Sequence, residues 1–389
     1  MDRRTHRSSG YFEPVESPRV KTFATAALDL SWFHAVEENV AGYLAQLADD
    51  KQPGRFLPCL RGATPVGREM ALGFSCFALK LQKMFGSWDT LPAVRRDAWL
   101  AFIRSFQRSE DGAFIDPPEI EFLTTGRTWR DRFWSALGRG KPKDFAQAVV
   151  LAETKQAIAT LLEVGETPAA PFRDFPLTPE GVRAFFEKRD WSKPWGAGGQ
   201  SAGLVVFLKT QAPRLLAPRD VEELLAICRD FYAGLADPES GAYFRGSRPV
   251  HGELINGAMK VLMALEWLEV PVHYPERLIQ TCLQHPPKAD GCHLVDAIYV
   301  LHQSLAGREA SPQLRAYCAH VVELLRRHER ADGGFSFYAN RAQTNYYGVP
   351  ISRGLEESDI QGTCLLVWAL AMIWRVLSPE TARWQTMRP

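Results

Sequence analysis

The chain has 389 residues, 46% of them apolar, and a formal net charge of +1. That length can bury a large core, and that charge gives no field to gather nucleic acid or an anionic membrane surface, so neither is an expected partner. Seven cysteines, an odd number with no CxxC pair, lie in mostly apolar segments and read as buried thiols of a reducing compartment.

The N-terminal stretch MDRRTHRSSGYFEPVESP is polar and proline-interrupted, without the apolar centre of a secretory leader. Residues 1–25 are expected as a polar tail. No apolar run approaches the roughly 20 residues that span a bilayer. The longest, 364–374, is too short, so the chain is expected to be cytoplasmic with no transmembrane segment.

Helical spacing begins at residues 32–48, with charge on one face, and a more apolar helix follows from Gly67. This alternation recurs five more times. The second pair is 92–107 and 145–163, joined by the turn SEDGAF and a long loop with Arg127, Trp129, Arg130 and Asp131. The third is 179–188 followed by the helix from Gly198, and the fourth is 219–235 followed by the helix from His251. The fifth is 275–284 with the helix from Cys292, and the sixth is 312–329, the turn ADGGF and the helix from Asp359.

Strand signals are nearly absent. Six helical hairpins at a period of roughly 50 residues, each with a more apolar second member, bury those members by closing into a ring. The expected fold is all-α: a single-domain (α/α)6 toroid over residues 26–380, with residues 381–389 as a C-terminal tail.

Such a ring brings the start of every inner helix to one rim. There the sequence places Arg68, Glu69, Gln147, Glu153, Gln200, Glu253, Asn256, His293, Asp296, Asp359 and Gln361. Polar groups on the first turns of buried helices act as caps or line a pocket. The loops above add Trp195, Arg245, Tyr338, Tyr346, Tyr347 and Arg353, suited to packing, to stacking on a sugar ring, or to holding a cation or an anionic head group.

Two turns carry a resemblance. QRSEDGAF, from Gln107 to Phe114, and ADGGFSFY resemble the glutamine-tryptophan repeats of squalene-hopene and oxidosqualene cyclases, with Phe in place of Trp. The plan also resembles the β subunit of protein prenyltransferases, in GAYFRGSRPVHGELINGAMKVLMAL and ADGCHLVDAIYVL. That likeness implies two zinc ligands, Asp290 and Cys292, but Gly362 stands where the third, a histidine, belongs. No cofactor is therefore expected.

Aligned with the terpene cyclases, ESDIQGT falls on their DxDDT motif. Asp359 matches the first Asp, while Gln361 occupies the place of the proton donor and cannot serve as one. The resemblance implies an isoprenoid-processing enzyme with acid-initiated carbocation chemistry on a small, lipid-like substrate. Asp359, Glu357 or Asp296 would supply the acid. Tyr338, Tyr346 and Tyr347 would stabilise positive charge, Arg353 and Arg245 would hold an anionic head, and Gln361, Glu253, Asn256, His293, Gln200 and Trp195 would line the site. Two other readings stay open. One is a carbohydrate-active toroid (a glycoside hydrolase, lyase or epimerase) working through paired carboxylates about 5 to 10 Å apart, drawn from Glu253, Asp296 and Asp359. The other is a toroid that binds a ligand without catalysis.

Overall fold

The computed structural model describes residues 29–124 and 145–389. The expected tail 1–25 and the loop bearing Arg127, Trp129, Arg130 and Asp131 lie outside the described residues. Among the described residues there are fourteen α-helices and one two-stranded hairpin.

The helices are α1 (Leu30–Leu47), α2 (Pro65–Glu69), α3 (Leu72–Met84), α4 (Ala93–Arg104), α5 (Pro117–Thr124), α6 (Phe145–Glu163) and α7 (Pro179–Glu187). They continue as α8 (Pro194–Thr210), α9 (Pro218–Leu235), α10 (His251–Leu268), α11 (Pro275–Cys282), α12 (Gly291–Leu305), α13 (Pro312–Arg326) and α14 (Ile360–Leu377). Strands β1 (Asn345–Tyr346) and β2 (Val349–Pro350) form the hairpin. Helices α3, α6, α8, α10, α12 and α14 pack each against the next, and α14 returns to α3, so the inner ring closes. The protein is an (α/α)6 toroid.

Local sequence sets these elements. In the outer helix α9, Val221, Leu224, Leu225, Cys228, Tyr232 and Leu235 are buried, the spacing of a single apolar stripe. The inner helix α14 is buried nearly all round. Each large apolar side chain held there stabilises the fold by roughly 1.5 to 3 kcal/mol. By length and composition α14 would also cross a membrane, but 83% of it lies inside the toroid, as befits a core helix.

The turns between outer and inner helices explain the ring. Isolated bridges close four of them: Ala48 with Phe56, Gln107 with Phe114, Ala236 with Tyr243, and Glu329 with Phe335. At the tip of the second, Gly112 has φ 76° and lies so close to Pro171 that a Cβ would sit 2.3 Å from its carbonyl oxygen. Gly333, with φ 96°, approaches the Asn39 carbonyl of α1 in the same way and so joins the sixth hairpin to the first. Only glycine meets both demands. The resemblance to cyclase repeats therefore reflects a packing device.

Residues 381–389, expected as a tail, instead cross the end of the toroid opposite the rim. Trp384 and Met387 are buried, Gln385 N–H donates to the Met84 carbonyl (2.8 Å) and Arg388 N–H to Glu163 Oε1 (2.7 Å).

Candidate functional site

Between α6 and α8 the inner ring encloses a cavity of about 410 Å³, within the size range of ligand sites. Gly196, Gly199 and Gly203 form a smooth wall along α8, and Phe175, Phe185, Phe207 and Leu151 supply apolar faces. Trp195 and Tyr347 stand at its edge, with Gln156, Gln200 and Asp174 as polar groups and Lys155, Lys260 and Arg189 as cations. The Arg189 guanidinium lies 3.2 Å above the Phe185 ring, and burial draws its pKa down to about 10. Burial also pushes the Lys155 ammonium well below its ordinary range, helped by the neighbouring charges of Lys80 and Lys260.

The hairpin of β1 and β2 reaches into the lumen from the rim. Its two-residue turn has φ 42° at Tyr347 and φ 86° at Gly348, the left-handed pair that matches strand twist. A tyrosine in that conformation is strained by about 1 kcal/mol or more. The turn places Tyr346 deep among Phe74 and Phe77 and leaves Tyr347 at the cavity wall. Tyr346 lies against Gly73, where a Cβ would meet its hydroxyl at 2.6 Å.

The Tyr346 hydroxyl donates to Glu153 Oε1 of α6. Tyr347 packs against Tyr346, their ring centroids 4.5 Å apart, so a line of polar side chains runs from Glu153 to the cavity. Behind Glu153 stands Glu119 of α5, both of whose carboxyl oxygens are buried without a hydrogen-bond partner. Burial first, then the charge of Glu153, raises Glu119 far above the usual carboxylate range. Burial likewise raises Glu153, the Tyr346 bond offsetting part of the effect. The pair therefore favours holding at least one proton at neutral pH. Nearby, Asp116 Oδ2 accepts from Ala71 N–H (2.7 Å) and Leu72 N–H (2.9 Å) and caps α3.

Of the residues expected at the site, Trp195, Gln200 and Tyr347 line the cavity and Tyr346 backs it. The others are spread over the rim. Asp359 caps α14: Oδ1 accepts from Gly362 N–H (2.7 Å), and Oδ2 from Phe337 N–H (2.7 Å) and Gln343 N–H (2.9 Å). Burial lifts its pKa to about 6. Glu357 accepts from Arg61 N–H (2.7 Å) and Gly62 N–H (2.6 Å), and Arg353 donates to the Arg61 carbonyl (3.1 Å), so both fasten one rim loop to another.

Glu253 accepts from Trp195 N–H (2.9 Å) at the start of α8. Asp290 caps α12 and holds His293 Nδ1 at 2.8 Å, while His293 meets the Trp195 ring edge-on at 5.7 Å. Asp296 is buried with Oδ2 unpartnered, and burial brings its pKa to about 6. Asn256 is buried with Nδ2 unpartnered, and Gln361 Oε1 also lacks a partner. Tyr338 packs on Phe337 under Arg341, and Arg245 lies exposed above Phe231. Cys292 is partly exposed, its thiol raised to about 12 chiefly by burial. Among the described residues no three His, Cys, Asp or Glu side chains converge as a metal-ligand set.

The Glu119–Glu153 pair and the cations Lys80, Lys155, Lys260, Arg189 were not singled out as site residues by sequence. Glu153 appears there only as one of many rim groups. An acid and a lysine two residues apart on one amphipathic helix were the available signal, and that pattern reads as solvent-facing.

No protein-family model and no curated protein matches the chain. Among solved structures it is similar to a possible member of the GH105 family from Salmonella enterica, at 12% identity over 94% of this chain and 99% of that one, with a TM-score of 0.43. A GH76 α-mannanase from Bacteroides thetaiotaomicron gives 11% identity, 89% and 95% coverage and a TM-score of 0.40. A family 88 glycosyl hydrolase from Bacteroides vulgatus gives 10%, 88% and 99%, and 0.36. These proteins are named as glycoside hydrolases, and the resemblance to terpene cyclases and prenyltransferases is overturned with the isoprenoid activity and lipid-like substrate it implied. The rim geometry agrees: Asp359, the expected acid, is occupied by three backbone amides, and the cavity wall carries unpaired cations that a hydrocarbon would leave unsolvated.

Proposed function

We propose that the chain is a carbohydrate-active enzyme that cleaves a glycosidic bond of a small saccharide by proton transfer in the lumen. The observation that carries this reading is the Glu153–Tyr346 hydrogen bond with Tyr347 packed on Tyr346 at the cavity wall. Protonated carboxyls at the inner end of that line serve as the reservoir for a general acid. At rest Tyr346 donates to Glu153; for turnover its hydroxyl rotates to donate to Tyr347 and accepts the proton of the protonated Glu153 carboxyl, as Tyr347 passes its own proton to the leaving glycosidic oxygen. No tyrosinate forms. Water adds at the sugar carbon, and Asp174, whose side chain is held by Gln147 at 3.2 Å on the cavity wall, accepts its proton.

The walls suit a sugar. Trp195 and Tyr347 offer ring faces for stacking, and Gln156 and Gln200 offer amides to hydroxyl groups. All seven cysteines are free, in keeping with a cytoplasmic place of action. The test is turnover of a panel of saccharides by the purified protein beside Glu153→Gln and Tyr347→Phe. Release of product by the wild type, reduced on the order of 100-fold in both variants, supports the reading. Undiminished turnover in both variants contradicts it.

A further inference from the structure

Lys80 on α3, Lys155 on α6 and Lys260 on α10 lie eight, ten and nine residues past the first residue of their helices. At about 1.5 Å per residue they stand at similar depth, roughly 12 to 15 Å below the rim. Lys155 feels the charges of both others. Lys155 and Lys260 line the cavity, and Lys80 is only 8% exposed. Among the described residues none of the three makes a hydrogen bond or an ion pair.

The acids around them leave Lys80 and Lys155 without an ionised partner. Glu153 faces Lys80 but burial favours its protonated form, and Glu163, also near Lys80, is raised by burial and already accepts from Arg388 N–H. Asp296 of α12, its pKa brought to about 6 by burial against the opposing pull of the Lys260 charge, balances Lys260 only from a distance, with no ion pair formed, and Asp174 on the cavity wall is engaged by Gln147. Lys80 is buried and Lys155 and Lys260 are half-buried, the Lys260 stem lying against Gly198 of α8; cations withdrawn from water without close partners destabilise a fold, and these three come from separate helices.

We propose that these three lysines form a binding site for an oxyanion group carried by the substrate: a carboxylate, sulfate ester or phosphate ester on the saccharide. The site deepens the preceding reading and rests on it. An oxyanion seated among the three amines would favour the charged form of Lys155 and supply the missing partners through charge-assisted bonds. It would also fix the saccharide with its ring against Tyr347 and Trp195. Neutral sugars would enter the cavity without being held.

The experiment is calorimetric titration and thermal unfolding of the full chain with inorganic sulfate, inorganic phosphate, D-glucuronate and D-glucose. The probes distinguish the three oxyanion sources. The expected result is that at least one oxyanion binds and raises Tm while glucose does neither, with Kd weakened on the order of 10-fold in Lys155→Met and Lys260→Met. Lys80→Met checks folding independently: its ligand-free Tm should equal or exceed that of the wild type, because an unpaired buried cation is removed. Absence of oxyanion binding, equal binding in both Met variants, or a lower ligand-free Tm for Lys80→Met overturns the site. Cleavage of neutral saccharides without oxyanion binding overturns this inference and leaves the proposed function standing. Oxyanion binding by a protein that cleaves no saccharide supports the site and overturns the proposed function.

Discussion

Tyr346 and Glu153 lie 193 positions apart in sequence and meet through a hydroxyl-to-carboxyl hydrogen bond inside the toroid. One residue comes from a hairpin at the rim of the sixth helical pair, the other from the inner helix of the second. Their contact joins the rim loops to the lumen, and it connects the buried acid pair to the Tyr347 side chain on the cavity wall.

Replacing Tyr346 by Phe removes that donor and leaves Glu153 Oε1 buried without it. A loss of about 1 to 3 kcal/mol in unfolding free energy is expected, together with loss of turnover. Denaturant unfolding beside a turnover assay checks both. Unchanged stability would contradict the bond.

Tyr347 separates strain from function. Glycine there fits φ 42° at no steric cost, so Tyr347→Gly should stabilise the turn or leave it unchanged while abolishing turnover. Tyr347→Phe should keep the strain and also lose turnover. Thermal unfolding of the two variants reads the difference.

The acid pair makes stability depend on pH. Folded Glu119 and Glu153 have pKa values raised above those of the unfolded chain, so the folded state binds more protons once the pH exceeds the ordinary carboxylate range. Stability contributed by the protonated pair is complete below that range and is lost as the pH rises toward the folded values. The expected slope is about −1.4 kcal/mol per pH unit for each proton involved. Glu119→Gln and Glu153→Gln should each flatten it, as measured by urea unfolding at a series of pH values. A stability that rises through neutrality in the wild type and is unaffected by either change would contradict the assignment.

Much of the fold was legible in the sequence because from the second pair on each inner helix is more apolar than its outer partner, and most hairpin turns carry a glycine near an aromatic residue. The ring of six pairs follows from that contrast. The site was less legible. Glu119 sits in PPEIEF and Glu153 in a helix of ordinary amphipathic spacing, and only ring closure around the 345–350 hairpin brings them together. Asp359, prominent in sequence, fits a helix cap as well as an acid, and its three amide partners become visible only in three dimensions. The segment 381–389 looked like a tail, although Trp384 and Met387 were signs that it packs.

Asp359 should therefore matter for stability more than for chemistry. Asp359→Ala removes the acceptor for three buried amides and should cost about 3 kcal/mol or more, while turnover per folded molecule is retained. Active-site titration against total folded protein checks this. A variant that folds fully but is inactive would return the catalytic role to Asp359.

Gly203 offers a way to fill the cavity without disturbing the ring. A Cβ at that position meets nothing within 4 Å, so Gly203→Leu should stabilise α8 or leave it unchanged, with glycine removal contributing roughly 0.5 to 1 kcal/mol. Ligand binding should weaken on the order of 10-fold or more through steric exclusion. Thermal unfolding and calorimetry on the same sample measure both quantities.

Protons are proposed to reach a bound saccharide along the Glu153–Tyr346–Tyr347 line. The most direct measurement is the pH dependence of turnover for wild type and Glu153→Gln on any saccharide the protein cleaves. The wild-type rate should fall as the pH rises above neutrality, and the Glu153→Gln rate should be about 100-fold lower and lack this limb. A variant with wild-type rates and the same pH profile would contradict that route.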